Sequence, residues 1–198
     1  MTAPIFSWSI LIDALATAYA AARNHVAIRL PAKTASFRAW SKQLSSTLPD
    51  RLRETALWRH HGASPATALT ATPLDPSRDL VSTARDIEAV LTPATTNALL
   101  TTLASAYRVN ADDILLTALT LAAAEHRNLG NRFALRIALE GHGRPTDDDG
   151  LGCTRTVGWF AAVHPLRLEL TDINLRDALA GGAGAGIALK QIKEQVRA

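Results

Sequence analysis

The chain has 198 residues and a formal net charge of +3; 47% of its residues are apolar and 20% are charged. This composition is typical of a folded globular protein and excludes an intrinsically disordered chain. The 21 lysine and arginine residues contain no run of five or six, so we predict no nucleic-acid-binding surface. The single cysteine, Cys153, excludes an internal disulfide and favours a cytoplasmic location.

Membrane association is not predicted from the sequence. The first fifteen residues lack the positive segment of a secretory signal and soon reach Asp13. The longest apolar run, residues 114–124, is well short of the ~18 residues that span a bilayer. We therefore expect a soluble cytoplasmic protein.

The N-terminal third of the chain is predicted to be mainly helical. Residues 7–24 carry apolar side chains at helical spacing, with Ser7 or Ser9 as the candidate cap. Residues 30–48 are typical of a proline-led turn followed by a second helix with an apolar stripe. A third helix contains Trp58.

Residues 62–79 hold three prolines among small polar residues and are predicted to be a linker. The rest of the chain alternates between strand and helix patterns. Residues 81–91 are predicted to form a strand, because Ile87 and Leu91 share one face of the alternation. The elements predicted after it are helices at 92–109 and 110–130, strands at 132–140 and 163–170, and a closing helix at 174–198. This order favours an α/β sandwich whose helices cover a sheet.

Several ligand-binding motifs are rejected because their spacing is wrong. The glycines of "GGAGAG" (181–186) fit neither a dinucleotide fingerprint nor a phosphate loop, so they predict an interruption of the closing helix. "DDDG" (147–150) lacks the later glutamate of a calcium loop. His60 and His61 would open an H-H-x-x-x-D-G motif, but proline and alanine occupy its last two positions. With one cysteine and no H-E-x-x-H, no metal site is predicted.

The loop "LEGHGRPTDDDGLGCTRTVGWF" carries the best candidate for chemistry. Glu140 ends an apolar strand, where we expect a partly desolvated carboxylate that is suited to proton transfer. Gly141 and Gly143 allow a tight turn, and "VGWF" is expected to exclude water. Arg144 and Arg155 can hold Glu140 or aspartate residues in place. A structural salt bridge at the strand end remains an equal alternative from spacing alone.

These motifs resemble one family. "EGHGR" followed by "TRTVGWF" is similar to the two signature motifs of the epimerization domains of nonribosomal peptide synthetases, which belong to the condensation-domain superfamily. "SWSILIDALATAY" resembles the helix that follows the family's H-H-x-x-x-D-G motif, and "LPAKTASFRAW" resembles the next segment. "DDILLTAL" is similar to the family's long buried helix. The motifs occur in the family's order along most of the chain.

The resemblance implies an α/β chloramphenicol-acetyltransferase-like sandwich made of parts of two lobes. Residues 1–61 would be the C-terminal part of the N-lobe, 62–79 the linker, and 80–198 a partial C-lobe. It also implies that the substrate is tethered to 4′-phosphopantetheine on a carrier protein, with neighbouring synthetase modules as partners and no further cofactor. An L-aminoacyl or peptidyl thioester would lose its Cα proton and regain one on the opposite face.

By the same resemblance, Glu140 is the acid/base residue. The supporting positions of the active-site loop and second motif are Gly141, His142, Gly143, Arg144, Arg155, Thr156 and Trp159.

The chain departs from the family pattern near its start. Pro4 and Ile5 stand where Asp and Gly belong, so the histidines of that motif would precede Met1, and Pro145 replaces a glutamate. We therefore expect the central portion of an epimerization domain, inactive as this isolated chain. The alternatives are a condensation-type, amide-forming acyltransferase segment, against which "EGHGR" argues, and a non-catalytic remnant that docks a carrier protein.

Overall fold

The computed structural model describes residues 5–63, 69–70, 72–128, 132–144 and 151–197. The chain divides into two compact units. Unit 1 contains residues Met1–Gly62 and Ala138–His164, and unit 2 contains Ala63–Ile137 and Pro165–Ala198. The lobe boundaries at 61 and 80 stay a prediction, because unit 1 combines segments from both predicted lobes. Of the predicted linker, the described residues form no helix or strand beyond Ala63.

Unit 1 is built mainly from helices. They are α1 (Ile5–Arg23), α2 (Phe37–Ser46), α3 (Leu48–Arg51) and α4 (Thr55–Ala63), with a 3₁₀ turn at Leu52–Glu54. The Ser36 side chain caps α2 by accepting from the Ala39 amide. The three helices predicted in this part of the chain are confirmed. His60 and His61 fall within α4, and their side chains lie outside the described residues.

Helix α1 is long and apolar enough to cross a membrane, by length and composition only. The sequence reasoning missed it because the longest uninterrupted apolar run lies elsewhere. The core helix of a soluble protein and a signal sequence pass the same test. The expected absence of membrane association therefore stays a prediction.

Unit 2 contains a longer set of helices, and the predicted caps mark the starts of two of them. They are α5 (Pro93–Ala98), a π-helical turn (Leu99–Leu103), α6 (Ala104–Tyr107), α7 (Ala111–His126), α8 (Leu175–Leu179) and α9 (Ala183–Arg197). Thr92 caps α5 as predicted. Asn110 and Asp113 form a reciprocal capping box at the start of α7. The predicted stop at Gly130 lies outside the described residues.

The strands predicted at 132–140 and 163–170 are confirmed. Strand β1 (Arg132–Gly141) pairs with β2 (Ala162–Thr171) in a two-stranded sheet. Alternate residues of both strands are buried: Phe133 and Leu135 on β1, and Leu166, Leu168 and Leu170 on β2. This period of two is what a sheet with one buried face requires. Phe133 and Leu135 pack with alanines 123 and 124 of α7 in a core cluster.

The strand predicted at 81–91 is wrong. Val81–Thr83 form a 3₁₀ turn, and the residues up to the start of α5 have no regular structure. Ile87 is 100% exposed, and Val90 is also exposed. Alternation indicates a possible strand, but a strand needs a neighbour to accept its backbone hydrogen bonds. Within the described residues, only β1 and β2 form that pairing.

One helix of unit 2 is less buried than its resemblance to the family's long buried helix implies. Helix α7 is buried on one side only, since Leu115 and Leu119 on its other side are exposed. The closing helix is two helices, and the break between α8 and α9 confirms the interruption predicted from its glycines. Gly181 has a φ of +78° there, a conformation that glycine adopts without a steric penalty.

Candidate functional site

Glu140 is the penultimate residue of β1, at the strand end where the sequence predicts it. Its side chain is exposed, so the expected desolvation of the carboxylate is not observed. The carboxylate borders a cavity of about 260 Å³ in unit 1. His142, Arg144 and Phe160 also line this cavity, together with Phe6 from the start of α1. The position is therefore accessible to a substrate, with polar and aromatic neighbours.

The loop after Glu140 is shaped by one glycine rather than two. Gly143 has a φ of +59°, and a Cβ on it would lie 1.8 Å from the Phe160 carbonyl oxygen. Only glycine permits this close approach between the two signature motifs. A Cβ on Gly141 would meet nothing within 4 Å, so no tight turn requires a glycine there.

Arg144 joins the two signature motifs. Its Nη1 donates to the carbonyl oxygens of Cys153 at 2.9 Å and Thr156 at 2.8 Å. Its Cζ lies 4.5 Å from the centre of the Phe160 ring, within the range of a cation–π contact. Burial lowers the pKa of the Arg144 guanidinium from its ordinary value. The expectation that Arg144 holds Glu140 is wrong, because backbone carbonyls occupy its guanidinium.

Arg155 forms an ion pair with Asp13 of α1, at 3.4 Å between Nη1 and Oδ2. The expectation that Arg155 holds an aspartate is confirmed, whereas the expectation that it holds Glu140 is wrong. Both side chains are partly exposed, and such pairs contribute little to stability. This pair orients the loop toward α1 without acting on the Glu140 carboxylate.

Thr156 is buried and binds the segment before α2. Its hydroxyl donates to the carbonyl of Ala35 and lies 3.0 Å from the Thr34 hydroxyl. The Ala35 amide in turn donates to the Gly152 carbonyl at 2.9 Å. Thr34 and Ala35 therefore support the second signature motif, a role that sequence reasoning missed. The sequence feature that could have indicated this role is "LPAKT", a segment that resembles the family and contains Thr34.

The expectation that "VGWF" excludes water is only partly right. Phe160 is buried, but Val157 and Trp159 are exposed, Trp159 by 47%. The Phe160 ring packs edge-on against Phe37 at 5.1 Å and Trp40 at 4.8 Å between ring centres. This aromatic cluster anchors the motif, whereas Trp159 faces solvent.

Ser7 is the residue of this site that the sequence analysis did not place. It was predicted as a helix cap, but α1 begins before it, at Ile5. Its side chain is 0% exposed. The Ser7 hydroxyl donates to the Gly158 carbonyl and accepts from the Gly158 amide, each at 3.1 Å. Arg144 Nη2 lies 3.3 Å from the same oxygen. A serine in the first turn of a helix ordinarily indicates a cap, so no sequence signal pointed to this junction.

A second, larger cavity lies in unit 1 beside the first. It has a volume of about 660 Å³, and Trp40, Thr47, Arg51, Gly143 and Arg144 contribute to its lining. Arg144 and Phe160 line both cavities. Among the described residues, no three histidine, cysteine, aspartate or glutamate side chains lie together as metal ligands. The absence of a metal stays a prediction.

The family model for the condensation domain matches residues 4–194, so the chain belongs to the condensation-domain family. It is 35% identical over 195 residues to a chondramide synthase of Chondromyces crocatus, covering 97% of this chain and 5% of that protein. It is 36% identical over 166 residues to tyrocidine synthase 1 of Brevibacillus parabrevis, covering 83% and 15% respectively. The chain therefore matches only a small part of either relative.

Two solved structures have the same fold. One is the epimerization domain from the third module of tyrocidine synthetase B, with a TM-score of 0.74 and 33% identity, covering 97% of this chain and 42% of that chain. The other is the first condensation domain of the CDA synthetase, with a TM-score of 0.64 and 15% identity, covering 100% and 40%. The predicted chloramphenicol-acetyltransferase-like α/β fold is thereby confirmed. The chain spans less than half of either solved domain.

Proposed function

We propose that this chain is the glutamate-bearing segment of an epimerization domain. In that role it converts an L-aminoacyl or peptidyl thioester on a phosphopantetheinyl carrier protein to the D form. The observation that carries the proposal is the exposed Glu140 carboxylate, which borders a cavity next to the start of α1. The 33% identity to a solved epimerization domain and the "EGHGR" motif support this choice.

The chemistry needs two groups at one carbon. The thioester acidifies the Cα proton, a base removes it, and an acid returns a proton to the other face. Glu140 is suited to one of these steps, because its side chain is exposed at the cavity and can reach a substrate. By family resemblance, the second group belongs to the histidine motif that comes just before α1. The contact between Phe6 and His142, with ring centres 6.0 Å apart, brings the start of α1 beside the Glu140 loop.

The proposal includes a dependence on further polypeptide. The chain spans 42% of the solved epimerization domain, and by family resemblance the histidine motif would belong to the rest of such a domain. We therefore expect no Cα proton exchange by these 198 residues alone. The partners would be a carrier protein and neighbouring synthetase modules, as expected from relatives that are much longer synthases. The location would be cytoplasmic, with no nucleic acid, membrane or further cofactor involved.

A hybrid domain tests this function. Residues 5–194 replace the matching segment of the tyrocidine synthetase B epimerization domain, and the product is called the hybrid domain below. It is incubated with a carrier-bound L-aminoacyl thioester in D₂O, and Cα deuterium and the D/L ratio of the released amino acid are measured. We expect deuterium incorporation and a mixture of D and L products from the hybrid domain, and neither from the 198-residue chain.

Other outcomes would favour the alternative functions. Amide formation when an acceptor aminoacyl carrier is added, without Cα exchange, would favour the condensation-type segment. Carrier binding with neither reaction would favour a docking remnant. Robust Cα exchange by the 198-residue chain alone would contradict the proposed dependence on further polypeptide.

A further inference from the structure

We call the contact between Ser7, Arg144 and Gly158 the Ser7 junction. It is unusual because it buries a polar side chain of a mostly exposed helix. Ser7 is the buried residue of α1, a helix whose other described residues are exposed or half-buried. A buried hydroxyl is costly unless its hydrogen-bonding capacity is satisfied. A serine hydroxyl has one donor and two acceptor sites. The two bonds to Gly158 and the bond from Arg144 use all three.

Gly158 of the junction is also closely packed, on the side that faces Phe37. A Cβ on Gly158 would lie 2.4 Å from Cδ2 of Phe37, so glycine alone fits between the Ser7 hydroxyl and that ring. Phe37 packs against Phe160, and Arg144 lies over Phe160. Each part of the junction therefore limits the movement of the next.

From this geometry we propose that Ser7 is a positioning residue for the Glu140 loop, acting through Arg144 and Gly158. The inference rests on the proposed function. Proton removal and return need two groups at a fixed separation, and small misplacements of such groups cost large factors in rate. Ser7 ties the start of α1, which follows the histidine motif by resemblance, to both signature motifs. The Ser7 side chain is fully buried, so it would act without contacting the substrate.

The first test uses the 198-residue chain and needs no activity. Hydrogen exchange of the Gly158 amide is measured in the native chain, in Ser7→Ala and in Ser9→Ala. Ser9 is a matched control, because among the described residues its hydroxyl bonds only to the Phe6 carbonyl within α1. We expect Ser7→Ala to speed Gly158 exchange by about 10-fold or more, since the amide loses its acceptor. Unchanged exchange at Gly158 would overturn the proposal.

The second test uses the hybrid domain and single-turnover kinetics, whose rate constant does not depend on the fraction of molecules that are folded. Ser7→Ala should lower the rate constant about 10- to 100-fold and change the half-saturating concentration less than about 3-fold. Ser9→Ala should leave both unchanged. If Ser7→Ala does not fold, Ser7→Cys, which keeps the shape with a weaker hydrogen-bonding group, should show a smaller loss.

A double-mutant cycle separates positioning from a general loss of structure. If Ser7 acts through Arg144, the losses of Ser7→Ala and Arg144→Lys should combine to less than their product, by about 5-fold or more. Losses that multiply would overturn the proposal. If the unmutated hybrid domain shows no Cα exchange, the proposed function fails, and the amide-exchange test still decides whether the Ser7 junction holds the loop.

Discussion

At the scale of single residues, the geometry around Glu140 depends on backbone contacts rather than on charge pairing. Gly143 allows the two signature motifs to approach each other, and Arg144 binds carbonyl oxygens across that approach. The Glu140 carboxylate is left exposed at the cavity. The nearby charges therefore serve to hold the loop, and the carboxylate remains available for a substrate.

A substitution at Gly143 tests this account of the loop. Gly143→Ala places a Cβ against the Phe160 carbonyl and forces a positive φ on a residue that disfavours it. We expect a loss of about 1–3 kcal/mol in the free energy of unfolding of the hybrid domain, measured with urea. Gly141→Ala is the matched control, because nothing lies within 4 Å of its Cβ position. Equal effects of the two substitutions would contradict the account.

At the scale of elements, features that depend on nearby residues were predicted correctly, whereas pairings between distant segments were not. Caps at Thr92 and Asn110 bond to residues three positions away, so the sequence contains both partners. The strand predicted at 81–91 needed a neighbouring strand, which no local pattern specifies.

In the candidate site too, local features were predicted correctly and contacts between distant residues were not. Glu140 was placed at its strand end correctly, because the strand pattern is local. The partner of Arg144 on α1, Ser7, lies 137 residues away in sequence. The burial of that serine depends on folding that brings α1 against the second motif, and the sequence pattern contains no trace of it.

The capping box of α7 supports an element-scale prediction. Asn110→Ala removes the acceptor of the Asp113 amide, which now bonds at 2.8 Å. We expect the free energy of unfolding of the hybrid domain to fall by about 1 kcal/mol in urea titration. Asn110→Ser keeps a capping oxygen and should recover most of it. A loss of equal size in the serine variant would show that the cap is not the cause.

At the scale of the whole molecule, α1 presents an extended apolar surface. Its exposed large side chains are Ile5, Phe6, Trp8, Leu11, Ile12, Leu15 and Tyr19. Apolar surfaces of this kind favour association with other chains. The chain also spans less than half of the solved domains that share its fold.

We therefore expect the 198-residue chain to self-associate at micromolar concentration. Size-exclusion chromatography with light scattering measures the association. Leu15→Lys should reduce it by removing an exposed apolar side chain and adding charge. Ala16→Lys, which adds the same charge at an exposed neighbouring position, should reduce it less. A monomer with a sharp cooperative melt would contradict this expectation.

The proposed role of Glu140 in moving the Cα proton is tested most directly by one measurement. In the hybrid domain, the rate of deuterium incorporation at Cα of a carrier-bound L-aminoacyl thioester is compared between Glu140→Gln and Glu88→Gln. Glu88 is an exposed glutamate in the irregular segment before α5. We expect Glu140→Gln to lower this rate by a factor of ~10²–10⁴, the usual contribution of one positioned acid or base, and Glu88→Gln to leave it unchanged. Near-native exchange in the Glu140→Gln variant would contradict this expectation and remove Glu140 from the mechanism.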